Sequence, residues 1–170
     1  MTTIRPEVPA DRDAARHVLE RAFGAGSGEA DLVDALRTAR AHVPELCLVA
    51  IGSEGELVGH LFFSRARLAS GHDVLALAPM AVLPQWQGRG VGSRMVEDGL
   101  ERASRTEFAL VVVLGHPEYY PRFGFEPAAA FGVTAPWEVP PEAWMALALP
   151  AYRPEARGLV TYPPAFDAVA

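Results

Sequence analysis

The run Pro84-Gln85-Trp86-Gln87-Gly88-Arg89-Gly90-Val91-Gly92-Ser93-Arg94 sets three glycines at alternate positions between an apolar, strand-like segment and an amphipathic, helix-like one. Alternating glycines remove Cβ atoms where the chain must turn tightly, so successive N–H groups can converge on one point. A helix that starts directly after the turn adds its unpaired first donors and the positive end of its dipole. A diphosphate suits such a site, with Arg89 and Arg94 as local positive charge. Two familiar phosphate loops do not match the letters. A dinucleotide fingerprint beginning at Gly88 needs glycine where Ser93 stands, and a P-loop needs lysine where Gly92 stands. Taken alone, the run is also readable as a glycine-eased turn that holds no ligand.

The flanking segments place the loop. Val74 to Leu83 is almost wholly apolar, as a strand covered on both faces must be. Pro79 inside it cannot donate to a ladder, which predicts a bulge or a parting from a neighbour there. Val91, Met95, Val96, Leu100 and Ala103 recur at helical spacing and predict a helix over 91–104, followed by an apolar strand over 108–114. Strand, helix, strand in this order predicts a right-handed parallel crossover.

Upstream, a strand over 2–5 gives way at Pro6 and Pro9 to a helix over 12–23 capped by Asp11, then to a helix near 30–40. A hairpin follows, with strands over 46–52 and 57–64 around Ser53-Glu54-Gly55-Glu56. Downstream come a short turn or helix from Pro117 to Phe123, a strand from Gly124, a proline-rich stretch from Pro127 to Pro141 and a strand over 144–149. The last 20 residues read as a tail with one strand, Leu159 to Tyr162. The pattern is that of a mixed α/β sheet flanked by helices. At 170 residues, 50% of them hydrophobic, the chain can bury one sizeable core. The expected organisation is a single domain over 1–170, with a core of about 2–150 and a tail of 151–170.

Charge and composition narrow the partners. A net charge of −6 does not suit a protein that grips nucleic acid by bulk positive charge. Cys47 is the only cysteine, so no internal disulfide can form, and its neighbours Leu46 and Leu48 to Ala50 read as a buried strand. The N-terminus lacks the apolar run of a signal peptide, and no segment reaches the roughly 18 apolar residues that span a bilayer. The expectation is a cytoplasmic protein with neither nucleic acid nor membrane as partner. His17, His42 and His72 make no metal-ligand spacing with a carboxylate, and no metal is expected.

Gln87-Gly88-Arg89-Gly90-Val91-Gly92 resembles the Gln/Arg-x-x-Gly-x-Gly/Ala motif of the GNAT N-acetyltransferase superfamily, in the strand, loop, helix setting of that superfamily. The likeness extends through Leu77-Ala78-Pro79-Met80-Ala81-Val82, Val112 to Gly115, Tyr119-Tyr120-Pro121-Arg122-Phe123-Gly124-Phe125 and Tyr162 to Phe166, and is similar to the YhbS-like branch over residues 2–166. It implies the GNAT acyl-CoA N-acyltransferase fold, a mixed central sheet with a bulged strand flanked by helices. It implies acetyl-CoA (coenzyme A) as co-substrate and no metal. Cofactor contacts are implied for the backbone of Met80, Ala81 and Val82 toward the pantetheine arm. They are implied also for the amides of Gln87, Gly88, Arg89, Gly90, Val91 and Gly92 toward the pyrophosphate, with Ser93 beside them. Tyr120, four residues before the Gly124-Phe125 pair, is implied as general acid toward the leaving thiolate.

A phenol near about pKa 10 and a thiol near about 8.5 to 10 are a workable proton-transfer pair. Tyr119 and Tyr120 are equally readable as packing groups. Adjacent helical residues point about 100° apart, so only one of them can face a thioester. Pro121 disfavours the α conformation at Tyr120 and moves the start of the short helix there. His60 and His116 are the candidate bases, each also readable as a hydrogen-bonded structural histidine. Trp137 and Trp144 fit either the wall of an acceptor pocket or the core. Glu138 and Glu142 fit either a cationic acceptor or plain solvation. The expected activity is transfer of an acetyl or related acyl group from acetyl-CoA to a primary amine of a small molecule or peptide, by direct attack in a ternary complex. A non-catalytic acyl-CoA sensor and a different diphosphate-binding module stand as alternatives, and a homodimer is left open.

Overall fold

The computed structural model describes residues 1–168. Strand β1 is Thr3–Pro6, and helices α1 (Arg12–Phe23) and α2 (Glu29–Thr38) follow. Then come β2 (Leu48–Ile51), β3 (Leu57–Leu68), β4 (Asp73–Val82), α3 (Val91–Ala103) and β5 (Leu110–Leu114). The chain ends with β6 (Glu126–Pro127), β7 (Val133–Thr134), β8 (Trp144–Ala148) and β9 (Gly158–Thr161). The sheet order is β1-β2-β3-β4-β5-β8-β6, with β9 paired to both β3 and β7. The β4–β5 pair is parallel, with α3 crossing between the two strands, while β1 to β4 and β5 to β8 pair antiparallel. This is the mixed, helix-flanked sheet expected from the pattern of elements.

Period-two alternation divides the central strands between two buried clusters. Leu75 and Leu77 on β4 and Val111 and Val113 on β5 join one, and Val74, Ala76, Leu110 and Val112 join the other. Burial on both faces is why these strands read as continuous apolar runs. Helix α3 sits close on the sheet because Gly99 has no side chain. A Cβ there would lie 2.9 Å from both Leu61 Cδ2 and Phe63 Cε2.

Three local expectations are corrected. Asp11 does not cap α1. Its carboxylate accepts from the Val8 N–H at 2.8 Å and from Arg5 at 2.7 Å, closing the preceding turn over Pro9–Asp11. Residues 44–46 form a short 3₁₀ turn with Pro44 at its start, so β2 begins at Leu48, after the buried Cys47. The last 20 residues are less of a tail than they read: β9 pairs with Arg67 and Leu68, and Phe166 is buried in the core. Among the described residues no helix is long and apolar enough to cross a membrane.

Candidate active site

Strands β4 and β5 are paired only at Leu75–Val111 and Ala76–Val112, and beyond these residues they separate. The cause lies in β4. Between the pairs Leu61–Met80 and Phe63–Leu77, β3 advances two residues while β4 advances three, so the extra residue falls at Ala78-Pro79. Proline has no N–H to give the ladder, and the surplus residue bends the strand away from its parallel neighbour. Both outcomes foreseen for Pro79, a bulge and a parting, occur together.

A cavity of about 670 Å³ lies in the gap. Leu77 to Met80 line it from β4, and Val113 to His116 line it from the end of β5. A crevice outside the carboxyl ends of parallel strands is where open α/β sheets hold ligands. Tyr120 lines the same cavity. It is the first residue of a short 3₁₀ turn, Tyr120–Phe123, that begins one residue before Pro121. Its ring rests on Gly115, where a Cβ would come within 2.3 Å of the ring carbon Cε2. Its hydroxyl makes no hydrogen bond to the protein among the described residues. Burial, with a smaller contribution from Tyr119, pushes the Tyr120 phenol up to about 12. It therefore stays protonated throughout the neutral range.

Tyr119 takes the other direction. Its hydroxyl lies 3.0 Å from the Ser93 hydroxyl at the start of α3, and the two tyrosine rings meet edge to face at 5.1 Å between centroids. Arg122 covers the outer face of Tyr119 and donates from Nε to its carbonyl at 3.0 Å.

The glycine loop has the form its letters call for. Gly88 and Gly90 have φ of 76° and 81°, in the left-handed region that glycine tolerates best, and Gly90 caps α3. Among the described residues, the N–H groups of residues 88–93 donate to no protein acceptor, and helical bonding resumes with Arg94 to the Gly90 carbonyl at 3.0 Å. Two members of the expected set are otherwise engaged. The Gln87 N–H closes the turn to the Pro84 carbonyl at 3.3 Å, and its side-chain Nε2 donates to the Val82 carbonyl at 3.0 Å. The run of amides without a protein acceptor thus starts at Gly88. Arg89 stacks over Trp86 with 5.1 Å from its guanidinium carbon to the ring centroid. Arg94 is turned away from its expected charge role, since Nη1 donates to the carbonyl and hydroxyl of Thr2 at 3.1 and 2.6 Å.

The two histidines part company. His116 is exposed and lines the cavity beside Tyr120. His60 has no exposed surface and does not line it. Its Nε2 lies 2.8 Å from Glu7 Oε1, and that carboxylate also binds the buried Arg37. The tryptophans divide in the same way. Trp137 lines the cavity, while Trp144 is buried and donates to the Val133 carbonyl at 3.0 Å. Cys47 is buried, with its thiol pushed up to about 12 by desolvation, which is the environment of a packing residue rather than a nucleophile. Among the described residues no group of three or more His, Cys, Asp or Glu is placed to hold a metal ion.

Sequence reasoning missed Glu29, whose carboxylate opens α2 on the cavity wall, and gave Gly115, named only within the Val112 to Gly115 resemblance, no role as the seat of the Tyr120 ring. Neither lies in the loop motif. Gly115 does adjoin the Val112 to Leu114 run, where its lack of a side chain was the available signal.

Comparison with known proteins bears on this arrangement. Residues 12–125 match the Acetyltransferase (GNAT) family. The chain is 43% identical to the uncharacterised N-acetyltransferase YjhQ of Escherichia coli K12 over 148 residues, 83% of this chain and 81% of that one. It is 36% identical to the uncharacterised N-acetyltransferase YhbS of the same strain, over 79% of each chain. The crystal structure of Escherichia coli YhbS in complex with CoA superposes with a TM-score of 0.88 at 31% identity, covering 98% of this chain and 92% of that one. A GNAT acetyltransferase from Brucella melitensis in complex with acetyl-CoA superposes with a TM-score of 0.80 at 32% identity, covering 98% and 99%. On the family match and these relatives together, the chain belongs to the GNAT family of acetyltransferases.

Proposed function

We propose that the protein transfers an acetyl or related acyl group from acetyl-CoA to a primary amine by direct attack in a ternary complex. The observation that carries the reading is the set of N–H groups over 88–93 left without internal acceptors at the mouth of α3, beside the gap between β4 and β5. Such a set is a ready anion site, and the diphosphate of coenzyme A supplies the anion. The outer edge of β4 past Ala76 is free of β5, so its backbone can pair with an extended pantetheine arm as an added strand would. Met80 and the Val82 N–H are the positions for that pairing, whereas Ala81, also expected there, turns its N–H and carbonyl to His60 on β3. The Val82 carbonyl is already served by Gln87.

The chemistry balances with the residues on the cavity wall. The acceptor enters as an ammonium and gives one proton to water or to His116. Its nitrogen lone pair then attacks the thioester carbonyl carbon. The carbon–sulfur bond breaks, the sulfur takes a proton from Tyr120, and the second proton shed by the amide nitrogen passes to the Tyr120 oxygen and restores the phenol. The products are the amide, the free thiol and one proton. A phenol at about 12 suits this step because the sulfur leaves inside the same desolvated space. His60, sealed against Glu7, has no part in this scheme.

Calorimetry with coenzyme A, ATP and NAD, followed by thiol release from acetyl-CoA across a panel of amines, tests the reading. Coenzyme A is expected to bind in preference to both nucleotides, and amines to accelerate thiol release. Preference for ATP or NAD refutes it, and tight coenzyme A binding with no acceptor found favours a sensor.

A further inference from the structure

One carboxylate on the cavity wall is explained neither by the glycine loop nor by the tyrosine turn. Glu29 stands in the first turn of α2 and lines the cavity that Tyr120 and His116 line. Its Oε1 is shut off from solvent and has no hydrogen-bond partner among the described residues. A carboxylate that served only to stabilise the start of α2 would accept from the N–H groups of that turn, and Oε1 accepts from none. An orphaned carboxylate oxygen is costly, and because the Glu29 side chain reaches the cavity surface, a donor that enters the cavity and draws the carboxylate toward it can supply the missing bond.

The remaining wall decides what that partner is. No lysine or arginine lines the cavity among the described residues, and the only other acidic group there is the exposed Glu138. Phe23, Leu32, Trp137, Val139 and Phe166 make up most of the rest on that side. Aromatic faces attract cations, and apolar walls reward an apolar body. An anionic group carried into the same space would be desolvated beside two carboxylates with no cation to meet it. We propose that Glu29 determines acceptor specificity. It receives the cationic nitrogen of a primary amine whose body is aliphatic or aromatic and which bears no carboxylate or phosphate. This rests on the acyltransferase reading above and adds the substrate class to it. Glu29 acts at binding, holding the ammonium before it gives up its proton for attack.

The test uses matched pairs that differ by one carboxylate: phenethylamine against phenylalanine, and cadaverine against lysine. The protein is first titrated with coenzyme A, and each amine is then titrated into the loaded protein by calorimetry. Acetylation kinetics are run in parallel. Each decarboxylated amine is expected to bind at least about tenfold more tightly than its carboxylated partner. Glu29→Gln is expected to raise KM for the amines at least about tenfold with kcat changed less than about threefold. It should also bring the members of each pair to within about threefold while coenzyme A affinity stays the same. Glu29→Asp, which keeps the charge, should retain the preference. Failure to bind coenzyme A in the first titration overturns the acyltransferase reading and this inference with it. Coenzyme A binding overturns the inference alone if the carboxylated partners bind as well, if the preference survives in Glu29→Gln, or if none of the four amines binds.

Discussion

The Ser93 and Tyr119 hydroxyls lie 3.0 Å apart, joining the first turn of α3 to the tyrosine turn that follows β5. These elements are 26 residues apart in the chain, and their contact holds the glycine loop and the tyrosine pair in one frame. It also decides between two adjacent tyrosines. With Tyr119 held at α3, Tyr120 is left to the cavity. Ser93→Ala is expected to lose one part-buried hydrogen bond, about 1 kcal/mol, and to lower the melting temperature by about 2–4 °C. Thermal denaturation followed by circular dichroism checks this, and an unchanged melting temperature would remove the hydroxyl pair from the stabilising contacts.

Tyr120→Phe keeps the ring that packs on Gly115 and removes only the proton donor. Turnover is expected to fall at least about tenfold, with coenzyme A affinity within about twofold of wild type. Because the phenol sits at about 12, the wild-type kcat profile should show no decline from this group up to about pH 10. Steady-state kinetics over that range separate the acid from a packing role, and equal kcat in the variant would assign Tyr120 to packing.

Gly90 caps α3 at a φ of 81°, and no atom lies within 4 Å of where its Cβ would be. Gly90→Ala therefore meets no clash, and its cost is conformational, about 1–2 kcal/mol for a left-handed residue. Relaxation of that strain swings the neighbouring amides out of convergence. Coenzyme A affinity is expected to drop at least about tenfold while the fold survives. Calorimetry on the variant measures it, with a thermal melt as control.

Glu7 is the centre of a buried cluster in which it meets Arg37 and His60. Burial pushes its carboxyl pKa up, but the bonds from His60 and Arg37 outweigh this and hold it below its ordinary 4.5. A carboxyl lowered by folding adds stability that is in place above about pH 4.5 and is lost as pH falls through the lower folded value. Glu7→Gln is expected to cost about 3 kcal/mol at neutral pH, by leaving Arg37 buried without its main partner. The gap from wild type should shrink progressively below pH 4.5. Urea unfolding at pH 7, 5 and 3.5 measures that gap, and a pH-independent difference would rule out the ionic role.

The chain's own letters determined most of the framework. The apolar runs of β4 and β5, the spacing of Val91, Met95 and Val96 and the alternating glycines announced a strand, loop, helix, strand unit, because periodicity and glycine torsion are local properties. Pro79 likewise announced a break in the ladder, since a missing donor is missing in any fold. What no local pattern carries is which distant groups meet. The exclusion of His60 depended on Glu7, 53 residues away, reaching its ring. Arg94 lost its role to Thr2, 92 residues away. Glu29 is proposed to gain one because the start of α2 packs where β4 and β5 separate, which puts its side chain on the cavity wall and leaves Oε1 without a partner. Strand pairing and helix packing bring such groups together across the sequence, so the acceptor side of the site was decided by the tertiary structure alone.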